Sequence, residues 1–161
     1  MKLPSISVRR ATVADVPTLT DFNIAMALET EDYQLDPSTV LAGVTRLFQQ
    51  QERGFYLIAE FEKTVIGALM ITKEWSDWRD GLWWWIQSVY VIKAHRRRGA
   101  FRTLYDHVCE LAQTEDDVCG IRLYVEKDNV SAQSVYREMG MSETHYRLYE
   151  APLKIMESPH D

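Results

Sequence analysis

The chain has 161 residues, 46% hydrophobic and 26% charged, with a formal net charge of -6. Length and balance are those of one globular domain, expected over residues 1–151 with a polar tail at 152–161, and the acidic charge excludes general nucleic-acid binding, which needs a basic face to displace counterions from phosphate. The two cysteines, Cys109 and Cys119, supply no zinc ligand set and are expected to be buried, reduced thiols. The N-terminus lacks a signal-peptide core and no apolar run approaches the roughly 20 residues that span a bilayer, so a cytoplasmic protein without membrane contact is expected.

Residues 6–10 alternate like a strand, and Thr12 with Asp15 three residues later signals the start of a helix that continues to about Glu29. That helix presents Val16, Leu19, Phe22, Ile24 and Met26 inward. Asp36-Pro37-Ser38 opens a second helix over 39–50, Arg53-Gly54 turns the chain into a strand at 55–61, and residues 64–72 pair with it. A third strand of the meander is expected at 83–91, after an aromatic and acidic turn, W-S-D-W-R-D-G. Following a helix and Glu115-Asp116-Asp117, strands at 119–125 and 141–150 enclose a last helix. The order β-α-α-β-β-β-α-β-α-β predicts an α/β (α+β) protein with a mixed, mostly antiparallel sheet flanked by helices.

Residues 89–104, V-Y-V-I-K-A-H-R-R-R-G-A-F-R-T-L, carry the densest signal: an apolar strand, a basic glycine turn and an amphipathic helix. The start of such a helix offers unpaired N–H groups to an anion, and Arg96, Arg97, Arg98 and Arg102 surround it with positive charge. A glycine turn alone is equally an ordinary loop with solvated arginines. Downstream, a second strand leads into E-K-D-N-V-S-A-Q-S-V-Y-R-E-M-G-M, where Asn129, Ala132, Tyr136 and Gly140 are spaced along a turn and a short helix.

With both segments in view, the chain resembles the GNAT superfamily of acyl-CoA-dependent N-acyltransferases. The family signature of Arg or Gln, two residues, Gly, one residue, and Gly or Ala falls on Arg96, Arg97, Arg98, Gly99, Ala100 and Phe101, the last of which departs from it. The second signature falls on Asn129, Ala132, Tyr136, Gly140 and Met141, and order and spacing agree from about Ile6 to Glu150. The resemblance implies a sheet whose central strands splay apart. Acetyl-CoA would pair its pantetheine arm with the backbone of Val89, Tyr90 and Val91 and seat its pyrophosphate on residues 96–102, with Asn129 orienting the arm or capping its helix.

The implied reaction is attack by a neutral amine on the thioester carbonyl. Tyr136 matches the family tyrosine that protonates the CoA sulfur, although a tyrosine packed on the sheet would read the same way. The strand at 82–91 contains no carboxylate or histidine, so either water takes the amine proton or an acid from elsewhere does. Glu29 and Glu31, beside the family's substrate loop, are the catalytic candidates. Tyr33, Trp75, Trp78, Trp85, Glu126 and Tyr146 are the candidate acceptor pocket, with Trp83 and Trp85 expected on one sheet face and Trp84 on the other. No metal site is expected. The acceptor implied is a small cationic or aromatic amine, or a peptide amine, and a homodimer would follow common practice among relatives. A non-catalytic acyl-CoA-binding sensor is the alternative, and an interaction domain using the tryptophan surface ranks third.

Overall fold

The computed structural model describes residues 5–153. It separates after Leu123 into two compact units, Met1–Leu123 and Tyr124–Asp161. The first contains β1 (Ser7–Arg10), α1 (Val16–Glu31), α2 (Pro37–Gln49), β2 (Gly54–Phe61), β3 (Thr64–Ser76), β4 (Gly81–Val91), α3 (Ala100–Thr114) and β5 (Val118–Leu123). The strands form one sheet in the order β1-β2-β3-β4-β5, antiparallel up to β4 and parallel between β4 and β5. This is the mixed, mostly antiparallel sheet expected.

Alternation along the strands sends side chains to two separate cores. On one face Phe55, Leu57, Leu69, Ile71, Trp84 and Ile86 meet Ala100, Leu104 and Val108 of α3. On the other, Tyr56, Ile58 and Ala68 meet Val16 and Leu19 of α1 and Val44 and Leu47 of α2. Trp84, 3% exposed, stacks edge-on against Phe55 with ring centroids 5.3 Å apart.

Asp15 fixes the entry into α1. Its carboxylate accepts the Thr12 backbone N–H at 2.7 Å and both ends of the Arg9 guanidinium fork at 2.9 and 3.0 Å, while Arg9 Nε reaches Glu60 on β2 at 2.9 Å. The first turn, Val13–Asp15, is 3₁₀, so the regular helix starts later than the capping signal implied. At α2, Asp36 accepts from the Thr39 backbone N–H at 2.8 Å and sits before Pro37, as its sequence position requires.

Three expectations need correction. β3 runs on to Ser76, where Trp75 pairs with Leu82 and Ser76 with Gly81, so the aromatic turn shrinks to residues 77–80. Cys119 is exposed rather than buried because it lies near the start of β5, the last strand of the sheet order; Cys109 is half-buried, and both are free thiols. Residues 141–150 form no strand. A strand is held by its ladder rather than by propensity, and this segment has no ladder partner among the described residues. Tyr146 and Leu148 are exposed instead.

The second unit is organised by α4 (Val130–Glu138), closed at both ends by the residues of the second signature. Asn129 Oδ1 accepts the Ala132 backbone N–H at 3.0 Å. Gly140, at φ +87°, ends the helix: the Met141 N–H returns to the Tyr136 carbonyl at 3.0 Å and the Gly140 N–H to that of Arg137 at 3.0 Å. Among the described residues no helix is long and apolar enough to cross a membrane, and no group of three His, Cys, Asp or Glu side chains is placed to hold a metal.

Candidate active site

The site is built from one strand that keeps its partner along only half its length. β5 pairs with β4 from Leu82–Val118 to Ile86–Leu123, and β4 then continues through residues 87–91 with no ladder partner on that edge among the described residues. On the opposite edge β3 follows it throughout, with a bulge where Leu69 faces residues 88 and 89 and Ser88 takes a left-handed φ of +51°. The Ile92 N–H donates to the Ile66 carbonyl at 2.9 Å, which makes Gly67–Val91 a pair without mutual hydrogen bonds. The N–H and C=O of Val91 therefore point away from β3, toward the open edge. This is the splay that the resemblance implied.

From the open edge the chain passes through a 3₁₀ turn, Lys93–His95, into the basic loop. Arg97, at φ +61°, and Gly99, at φ +85°, are both left-handed and fold the loop onto the start of α3. Among the described residues no side-chain hydrogen bond caps that helix, and its first turn holds no acid. A Cβ at Gly99 would meet nothing within 4 Å, so glycine serves conformation there, not space. Ala100 is buried against the sheet, and Phe101 turns along α3 toward Tyr105 at 6.4 Å between centroids.

Sequence alone gave four equivalent arginines, and the structure divides them. Arg97, Arg98 and Arg102 are exposed and form no ion pair or side-chain hydrogen bond among the described residues. Arg96 is engaged at two nitrogens: its Nη2 donates to Glu29 Oε2 at 2.6 Å and its Nε to the Val91 carbonyl at 2.7 Å. Glu29 also accepts the Tyr90 hydroxyl at 3.0 Å, with Lys93 Nζ at 3.8 Å, and the Tyr90 ring packs on Phe22 of α1 at 5.0 Å. The end of α1 is thus locked to the end of β4.

That lock changes the character of Glu29. Arg96 above all, then Tyr90 and Lys93, hold its carboxyl below the usual glutamate range. A carboxylate so stabilised is a weak proton acceptor. Sequence reasoning placed Glu29 near the site but missed its partners, since contacts between residues 61 and 67 positions apart leave no periodic signal. Glu31 stands exposed on the last turn of α1.

Tyr136 is half-buried on α4, and burial raises its phenol above the usual value of 10. Asn129 caps that helix. Glu126 precedes it, its carbonyl accepting Gln133 Nε2 at 3.2 Å. Tyr146 is exposed against His145 at 4.2 Å between centroids. In the first unit, Tyr33 follows the left-handed Asp32 that closes α1. Trp75 and Trp78, 58% and 86% exposed, stand at the β3–β4 hairpin end, while Trp85 is half-buried farther along β4 and donates its indole N–H to Glu74.

The first unit thus joins a mixed sheet with a half-open central strand to a helix whose start is ringed by arginines. The chain belongs to the acetyltransferase (GNAT) family, whose profile matches residues 22–141. It is 30% identical over 112 residues to the phosphinothricin N-acetyltransferase of Streptomyces viridochromogenes, a match covering 68% of this chain and 60% of that protein's length. A possible acetyltransferase from Clostridium difficile 630 superposes with a TM-score of 0.87 at 38% identity, over 92% of this chain and 98% of that one. A predicted acetyltransferase of Clostridium acetobutylicum, solved with acetyl-CoA, shares the fold at a TM-score of 0.73 and 17% identity, over 91% and 96% of the two chains.

Proposed function

We propose that the protein is an N-acetyltransferase that moves the acetyl group of acetyl-CoA to the primary amine of a small acceptor by direct attack in a ternary complex. The observation that carries this reading is the continuity of the open β4 edge at 87–91 with the start of α3, which among the described residues has no side-chain cap and three arginines without an ion pair. Backbone groups of Val89, Tyr90 and Val91 would hold the pantetheine arm. Arg97, Arg98, Gly99, Ala100, Phe101 and Arg102 would hold the pyrophosphate through N–H groups and positive charge. Arg96 would act from behind, fixing the Val91 carbonyl, and Asn129 through its cap on α4.

In the reaction the amine nitrogen adds to the thioester carbonyl, an N–H in the open edge polarises the carbonyl oxygen, and the C–S bond breaks. The departing sulfur takes a proton from Tyr136, whose raised pKa keeps it protonated at neutral pH. The amine proton leaves to water or to Glu31, since Glu29 is held as a charge partner of Arg96. The name of the Streptomyces relative supports an amine nitrogen as acceptor. Cationic or aromatic amines and peptide amines are the acceptors in view, with Tyr33, Trp75, Trp78, Trp85, Glu126 and Tyr146 as the lining. The same reading includes a homodimer and a cytoplasmic setting, the latter in keeping with two free thiols.

The test is thiol release from acetyl-CoA against a panel of amines, repeated with Tyr136→Phe. Release with at least one amine is expected, and the variant should lose about 100-fold or more in kcat with acetyl-CoA affinity unchanged, as removal of a general acid does. Binding without release for any amine would favour the acyl-CoA sensor instead, and equal losses in turnover and affinity would remove Tyr136 from the acid role.

A further inference from the structure

On the face of the sheet that carries α1 and α2, alternation continues past Met70 to Thr72 and Glu74 on β3 and places Trp83, Trp85 and Gln87 beside them on β4. Arg122 of β5 faces Trp85 in the parallel register. These side chains form a half-exposed strip running along β4 toward its open edge, and Gln87 Nε2 ties the strip to Thr72 Oγ1 at 2.7 Å. Gly120 gives the strip its form: a Cβ there would lie 2.3 Å from the Trp83 ring, so the indole lies across bare backbone with the Arg122 guanidinium 3.9 Å from its centroid.

We propose that this strip is the subsite for the acceptor's tail and that it takes an oxyanion, so that the acceptor is an amine bearing a carboxylate or a similar oxyacid group. The proposal rests on the acetyltransferase reading above and narrows its substrate class. The argument is one of unused donors. Glu74 accepts from Trp85 Nε1 and from Arg122 Nη1, the latter at long distances of 3.3 and 3.4 Å to its two oxygens. Nε and Nη2 of Arg122 have no hydrogen bond among the described residues, although the side chain is only 26% exposed. A half-desolvated guanidinium with donors to spare selects a planar oxyanion.

Charge points the same way. Arg79 lies 5.0 Å from the Trp83 ring that Arg122 also covers, so two cations stand on one indole. A cationic tail would find that indole occupied and meet like charge, which weighs against polyamines. Trp85 is two to four strand residues from the open backbone at 87–89, about 7–13 Å, a span suited to an acceptor the size of an amino acid or dipeptide.

The experiment compares thiol release from acetyl-CoA with L-amino acids, their α-amides and aliphatic diamines, in the wild type, Arg122→Lys, Arg122→Met and Glu74→Gln. Acids are expected to outrun amides, and both Arg122 variants should raise the acid KM about 10- to 100-fold while leaving kcat and the acetyl-CoA KM in place. Glu74→Gln should shift the acid-to-amide ratio further toward acids, an outcome that a purely structural ion pair does not give. Preference for amides or diamines, or a ratio indifferent to Arg122, overturns the subsite and leaves the transferase reading standing. If no amine releases thiol, the transferase reading fails, and tryptophan fluorescence titration with N-acetyl amino acids against their amides decides the subsite: saturable, Arg122-dependent quenching by the acids supports it, and its absence overturns it.

Discussion

The two halves of β4 share one strand and differ in what surrounds them. From Leu82 to Ile86 the strand is paired on both edges, and Trp84 and Ile86 enter the core against α3. From residue 87 to 91 it is paired on one edge, bulged, and left-handed at Ser88. The paired half supplies stability, and the open half leaves an edge of the strand without a ladder partner among the described residues, the edge on which the proposed function seats the pantetheine arm. Local structure in the open half is therefore held from outside the ladder, by the contacts of Tyr90 and Arg96 with Glu29.

The comparison is broken most severely in the paired half. Trp84→Ala should lower stability by about 3–5 kcal/mol, the usual loss for deleting a buried tryptophan, while the fraction that folds binds acetyl-CoA as before. Denaturant midpoints and calorimetry on the same sample check both parts. A stable variant that cannot bind would mean that the two halves are not separable. The indole N–H of Trp84 has no hydrogen-bond partner among the described residues, so the loss should come from packing alone.

A smaller effect is expected at the lock on the open half. The folded-state pKa of Glu29 is depressed, so its contribution to stability is present above the unfolded glutamate pKa and fades as the pH falls through the folded value. Glu29→Gln should accordingly lower the thermal midpoint at pH 7, and wild type and variant should converge in acid. A gap that is constant from neutral to acidic pH would show that the carboxylate's charge is not what holds the lock. Because both partners are partly exposed, high salt should narrow the gap at pH 7 as well.

The fold was legible where local rules and tertiary packing agree. Asp36-Pro37 starts α2, Asn129 and Gly140 close α4, and alternation sends Trp84 to one face and Trp83 and Trp85 to the other. The strand expected at 141–150 was misread, because local residue types say nothing about whether a partner edge exists. At the site, the glycine turn and its arginines could be read directly, since a left-handed glycine before a helix is a local requirement. The division of labour among those arginines could not, because Arg96 is distinguished by Glu29, on a helix far away in sequence. The bulge at Ser88 and the Arg122–Trp83 stack were equally silent, both being products of cross-strand register.

The central claim is that the open edge and the start of α3 together seat acetyl-CoA, and Gly99→Asp tests it most directly. A Cβ added there meets nothing within 4 Å, and aspartate is among the residues that tolerate a left-handed φ, so the variant should fold, at a cost of about 1 kcal/mol. Its carboxylate would stand where the pyrophosphate is expected. Calorimetric titration with acetyl-CoA should show saturable binding to the wild type and at least about a 100-fold weaker affinity, near 2.7 kcal/mol, in the folded variant. Equal affinity in the two proteins would place the cofactor elsewhere and contradict the account.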